Sequence, residues 1–356
     1  MVLTETDDFF CHQLAEPHAI VALNDPSFSE RAYFTLSDPD RFGLDIGMSM
    51  YPNNNRLEAY AIFTGSTEEQ ISLRTGRDLG DDRWPLRVGP ITTEIVSPLR
   101  EWRLTCEPNE SGIEFDLTYR ARAKPYECRS PVLRKHNRLM YDNVNLFQAG
   151  RWDGSVTVDG TTYGVDAIPG HRDRTWGVRA SGEGRFKRGL LVWCCAEFDD
   201  VTVMALQHER ANGDTRHRMG AVSFEQTGET IPIVAWEHDL DFDHDTRLLQ
   251  HAAFRFTDAT GKVWEITAEP KLRLFLHGGG YTSGEDRRGF LPVELWTERW
   301  DLTDPVLRPT IDGLNDQISV MRCGDRVGHG IVETLIGEHD RYVVAPQSDL
   351  GEHAVA

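Results

Sequence analysis

The chain has 356 residues, 39% of them hydrophobic and nine of them Trp. That length predicts about two domains, and that apolar content excludes a largely disordered chain. Lys and Arg number 38 against 57 Asp and Glu, a net charge of −19, which disfavours phosphate backbones and anionic headgroups and excludes nucleic acid as the expected partner. The most apolar run, Gly189–Phe198, is broken by Glu197 and is shorter than the roughly 18 residues of a membrane span. Met1–Phe10 is acidic where a secretory leader would be basic and then apolar, so the reading is a soluble, cytoplasmic protein with no membrane span.

Taken in chain order, short aromatic and β-branched runs alternate with Gly- and Pro-rich punctuation, the rhythm of an all-β protein. Glu5–Ala15 has weak helical character. Trp102–Cys106 and Ile113–Arg122 form a hairpin across Asn109–Gly112, and Ser155–Val158 pairs with Thr161–Val165 across Asp159-Gly160, a dipeptide that tolerates positive φ. The segment Gly177–Gly184 has linker composition towards its end and divides the chain into residues 1–179 and 180–356. Leu190–Phe198 and Val201–His208 flank Asp199-Asp200, the chain then turns at Ala211–Asp214 towards Gly220–Phe224, and Ala252–Thr257 pairs with Val263–Ala268. Lys271–His277 and Phe290–Trp296 enclose Gly278–Gly280 and a polar stretch to Arg288, a candidate lid. Pro305–Met321 reads as weakly helical. The expectation is two tandem antiparallel barrel or sandwich domains.

The six cysteines, Cys11, Cys106, Cys128, Cys194, Cys195 and Cys323, fit neither a disulfide framework nor a CxxC metal knuckle. Cys194 and Cys195 lie in an apolar run and are expected on opposite faces of a strand. Trp236–His251 holds Asp239, Asp241 and Asp243 among His238, His244 and His251. A calcium loop counted from Asp239 would have His244 and Gln250 where Gly and Glu are required, and the histidine spacings match no zinc motif. The segment reads as a solvated acidic edge, and no metal or other cofactor is expected. No dinucleotide or phosphate-binding glycine motif and no nucleophile elbow occurs.

Two clusters could carry chemistry. Tyr141–Arg179 packs Tyr141, Asp142, His171, Arg172, Asp173 and Trp176 into about forty residues. Extended, it puts His171, Asp173 and Thr175 on one face and Arg172, Arg174 and Trp176 on the other. The plainer alternative is an Arg–Asp ladder on a barrel rim. In Gly328–Glu333, His329, Ile331 and Glu333 share a face, so Glu333 faces a lumen if His329 does, and is otherwise an exposed strand residue.

The segments GHRDRTWGVR at 170–179, DGTTYGVDAIPG at 159–170 and GHGIVE at 328–333 resemble the hydroxyneurosporene synthase (carotenoid 1,2-hydratase) and AttH-like superfamily. The Arg-x-x-x-Trp-Gly element falls on Arg172, Trp176 and Gly177. The resemblance implies two lipocalin-like (calycin) domains, a hydrophobic ligand cavity, and hydration of isoprenoid double bonds or pericyclic cyclisation without a metal or organic cofactor. A cofactor-independent hydratase or dehydratase acting on a small hydrophobic, terpenoid-like substrate would need a buried carboxylic acid, aromatic faces towards a cation, and a base. Asp173, Asp142 or Glu333 could supply the acid, His171 or His329 the base, and Trp176 and Tyr141 the aromatic faces, with Arg172 and His329 among the substrate contacts. The alternatives are a carrier for an apolar metabolite or a pericyclic cyclase or isomerase on the same fold. A homodimer is compatible with all three.

Overall fold

The computed structural model describes residues 14–179, 188–281, 288–291 and 294–346. Strands dominate it, at 64% of residues against 3% helix. The first sheet is built from β1 (Phe28–Asp38), β2 (Phe42–Tyr51), β3 (Arg56–Thr64), β4 (Glu69–Asp78), β5 (Arg87–Val88), β6 (Ile91–Ser97), β7 (Glu101–Cys106), β8 (Ile113–Ala121), β9 (Tyr126–Arg129), β10 (Leu133–Lys135), β11 (Arg138–Val158) and β12 (Thr161–Arg179). The second is a closed eight-stranded barrel of β13 (Leu190–Glu197), β14 (Val201–Glu209), β15 (Thr215–Phe224), β16 (Thr230–Phe242), β17 (Leu249–Asp258), β18 (Val263–Phe275), β20 (Asn315–Cys323) and β21 (Arg326–Ile336). One strand crosses over: β19 (Trp296–Asp301) leaves the barrel half and pairs with β4, making the first sheet 13-stranded. Among the described residues no helix is long and apolar enough to cross a membrane.

The local signals explain these elements. Asp159 (φ 49°) and Gly160 (φ 80°) are both left-handed, the pairing a two-residue hairpin turn requires, and they join the two longest strands, β11 and β12. Each sheet has an interior. Phe34, Leu44, Ile46, Leu104, Leu117 and Trp152 belong to the core of the first, and Val192, Cys194, Val203, Phe254, Phe256 and Ile266 to that of the barrel. Both domains have a second apolar face, which turns towards the other domain. Along β13, Val192 and Cys194 enter the barrel while Leu191, Trp193 and Cys195 face the first sheet, so the adjacent cysteines do lie on opposite faces. Tyr33, Tyr60, Ile62 and Phe147 meet them from the first sheet.

Two local expectations are corrected. Pro305–Met321 is not a helix: only Arg308–Ile311 is helical, because Gly313 at φ 156° ends the turn and β20 begins at Asn315. Of the candidate lid, Leu276–Gly279 forms a short 3-10 turn after β18, and residues 282–287 lie outside the described residues. Trp236–His251 is no solvated edge throughout: His238 is buried, its Nε2 2.8 Å from Glu209 Oε1. The linker stretch Ala180–Gly184 and most of Glu5–Ala15 lie outside the described residues.

Candidate functional site

A cavity of about 210 Å³ lies between the two domains, lined by the faces that each turns towards the other. The ligand space therefore differs from an internal calycin cavity, because side chains fill the barrel interior. Alternation along the strands selects its wall. On β1 the alternating Arg31 and Tyr33 reach it, and on β12 Asp173, Thr175 and Arg179 do so. Register places them in rows: Tyr33 opposite Asp173 and Asp173 opposite Phe147, Arg31 opposite Thr175 and Thr175 opposite Asn145, then Arg179 opposite Tyr141. The barrel presents the matching row Asp316, Glu333, Trp193 across β20, β21 and β13. Leu191, Leu206, Met219 and Leu335 supply an apolar lining.

Gly177 makes the close approach of β11 and β12 feasible beside Arg179. It sits at φ 131°, and a Cβ there would stand 2.3 Å from the backbone oxygen of Asp142. This is the glycine of the Arg-x-x-x-Trp-Gly element.

The electrostatics of the wall are unusual. Glu333, only 8% exposed, has its carboxyl pushed up to about 8 by burial, with Arg179 pulling down and Asp45 and Asp173 pushing further up. It is thus mostly a neutral acid at pH 7. Asp173 is also raised by burial, but the Thr175 hydroxyl, Arg179 and Arg31 oppose the rise. Thr175 Oγ1 lies 3.0 Å from both Asp173 Oδ1 and Asn145 Oδ1. Its one proton serves only one of them, so when it is donated to Asn145, Asp173 can complete the second bond only by bringing a proton of its own.

Beneath the cavity floor lies a second acidic pair. Tyr33 Oη donates to Asp316 Oδ2 at 2.5 Å and stands 3.1 Å from Asp45 Oδ1, which also accepts from Thr35 Oγ1. Burial raises both acids, Asp45 to about 6 and Asp316 well above the ordinary carboxyl range, the latter helped by the charges of Asp45 and Glu333. Two fully buried carboxyls bound to one phenol share a proton more readily than they ionise together. Alongside, His171 Nδ1 is 3.0 Å from Glu197 Oε1, and His171 Nε2 is buried without a partner. Burial would raise Glu197, but His171 and Arg122 outweigh it and hold the carboxyl low. Arg122 bridges Glu197 and Glu225 at 3.3 and 3.1 Å.

Asp173, Glu333 and Tyr141 come together on this cavity. His171 sits behind its wall, 5.4 Å from the Trp193 ring and 6.5 Å from that of Tyr33. The other four are elsewhere. Asp142 and Trp176 occupy the alternate positions of β11 and β12, away from the cavity row. Arg172 is buried in the first domain, its Nε and Nη2 donating to Gln148 Oε1 at 3.0 and 2.7 Å, with its guanidinium 5.0 Å from the Trp102 ring. His329 packs against the first sheet, its Nε2 3.1 Å from the Pro169 oxygen; it shares the outward barrel face with Ile331 and Glu333, and that face is not a lumen. Sequence reasoning missed Arg31, Tyr33, Asp45, Arg179, Trp193 and Asp316. The available signal was a lone Asp inside the apolar runs FGLDIGM and LNDQISV. Among the described residues no group of three His, Cys, Asp or Glu is placed to hold a metal.

A family model described as a family of unknown function (DUF8625) matches residues 3–344. The chain belongs to that family. No curated protein matches it by sequence. Solved structures similar to this member include a protein assigned as AttH from Nitrosomonas europaea, at 13% identity and TM-score 0.52, covering 90% of this chain and 96% of that one. CghA with Sch210972 aligns at 9% identity and TM-score 0.52 over 88% and 89% of the two chains. Kievitone hydratase from Nectria haematococca aligns at 13% identity and TM-score 0.48 over 89% and 93%. At such identities the likeness establishes the fold alone.

Proposed function

We propose that this chain is a cofactor-independent hydro-lyase that adds water to an alkene, or removes it from a tertiary alcohol, of a hydrophobic, terpenoid-like substrate held between the two domains. The observation that carries the reading is Glu333: a carboxyl raised to about 8, facing a cavity with a second acid, Asp173, on the opposing sheet. In the dehydration direction the Glu333 carboxyl protonates the hydroxyl and water leaves. The faces of Trp193, Phe147 and Tyr33 contribute about 0.5–2 kcal/mol each to the resulting cation. Asp173 as carboxylate takes the proton from the neighbouring carbon, which closes the double bond, while Arg179 faces the Glu333 carboxylate formed in the first step. Hydration runs the same transfers in reverse, and exchange with solvent restores the protonation states.

The test is incubation with a panel of terpene alcohols and alkenes in ¹⁸O- and deuterium-labelled water. Isotope incorporation by the wild type, lowered about 10²- to 10⁴-fold in both Glu333→Gln and Asp173→Asn, is the expected result. Binding of these compounds without any incorporation would make the protein a carrier.

A further inference from the structure

The cavity wall contains a feature that acid–base chemistry does not use. Arg31 and Arg179 both line it, and Arg288 joins them from the segment that follows the barrel's β18. The sheet brings the three to one end. Arg31 is paired in register with Ser49, and Ser49 Oγ accepts from Arg288 Nη2. None of the three is in an ion pair with a described residue. Arg31 Nε donates to Ser29 Oγ at 3.1 Å, and Arg288 lies 4.5 Å from the Tyr281 ring centroid. Of the other deeply placed arginines, Arg74 has Glu298 at 3.0 Å, Arg122 has Glu197 and Arg247 has Asp312 at 3.0 Å, while Arg172 has its uncharged partner Gln148 within the core. Glu58, the acid that faces Arg288, is already engaged, since its two oxygens accept the backbone N–H groups of Gly289 and Leu291 at 2.8 Å. Burial first, and then the charges of Arg179 and Arg288, pull the Arg31 guanidinium down to about 10.

In a chain of net charge −19, three cations crowd one end of a half-apolar cavity whose facing acids, Asp173 and Glu333, are both pushed towards their neutral forms by burial. Guanidinium forks match a planar oxyanion, and the opposite end of the cavity, at Phe147, Trp193 and Leu206, is apolar. We infer that the substrate is an amphipathic acid, its carboxylate seated on Arg31, Arg179 and Arg288 and its apolar body laid towards Trp193 and Phe147. This rests on the reading of the cavity as the substrate site and deepens it, because a bound carboxylate would fix which carbon of the body meets Glu333.

The test reads binding alone. Calorimetry would compare benzoate, phenylacetate, 4-phenylbutyrate and 2-naphthylacetate, each with its neutral primary amide, and phenyl phosphate as a non-planar anion. At least one acid should bind about 10- to 100-fold more tightly than its amide and than phenyl phosphate. That preference should fall to within about 3-fold in Arg31→Gln and in Arg179→Gln, with the amide's own affinity retained. Arg179→Lys should keep part of the preference, and thermal melts of all variants identify any that is unfolded. No acid preferred over its amide, or a preference that survives both Gln variants, overturns the inference, as does phenyl phosphate binding as tightly as the best acid. Because no turnover is measured, loss of the hydro-lyase reading would leave a positive result standing.

Discussion

Replacing Glu333 by Gln keeps the volume and removes the ionisation, and the structure makes its effect on stability opposite to its effect on rate. The carboxyl sits at about 8 in the folded chain against 4.5 when exposed. The folded state therefore holds the proton longer than the unfolded state, so stability is greatest below pH 4.5 and is lost as pH rises towards 8. At about 1.4 kcal/mol per pH unit, the wild type loses roughly 2–3 kcal/mol from this group between pH 5 and pH 7. Gln carries no such dependence. Urea unfolding at pH 5, 6, 7 and 8 should show Glu333→Gln gaining on the wild type by roughly 2–3 kcal/mol from pH 5 to 7 and still more at pH 8, while turnover falls by about 10²- to 10⁴-fold. A variant less stable than the wild type at pH 7 by a pH-independent margin would refute the reasoning, since it would mean that Glu333 is ionised and paired.

Tyr33→Phe removes the hydroxyl that donates to Asp316 and should cost about 1–3 kcal/mol by chemical denaturation, leaving buried carboxyl oxygens without their donor. Arg122→Met strips Glu197 of its permanent cation and should cost about 3–5 kcal/mol, with much of the loss recovered in the double variant Arg122→Met, Glu197→Gln. Gly177→Ala forces a Cβ against the Asp142 oxygen at a left-handed φ and should lower stability by roughly 2 kcal/mol or more in the same assay.

The strand pattern was legible because each hairpin carries its own turn chemistry: Asp159-Gly160 supplies two left-handed residues, and Cys194 and Cys195 separate by simple alternation. Faces were legible too, since His171, Asp173 and Thr175 do share one side of β12. What alternation does not reveal is which side looks at another domain. Arg172 was expected among the substrate contacts as part of the Arg-x-x-x-Trp-Gly element, yet Gln148 and two aromatic rings satisfy it inside the core. Asp45 and Asp316 are 271 positions apart, as the two numbers show, and meet each other and Tyr33 only once the sheets pack. β19 was illegible for a similar reason, since its partner β4 is more than two hundred residues upstream and no turn links them.

The central claim is that a neutral carboxylic acid faces the cavity at physiological pH, and carboxyl-carbon NMR on protein labelled with ¹³C at the glutamate side chain reads this without a substrate. One glutamate resonance should titrate with a midpoint near 8 and be missing from the spectrum of Glu333→Gln. If every glutamate carboxyl is fully ionised by pH 6, Glu333 is not the proton donor and the proposed chemistry fails.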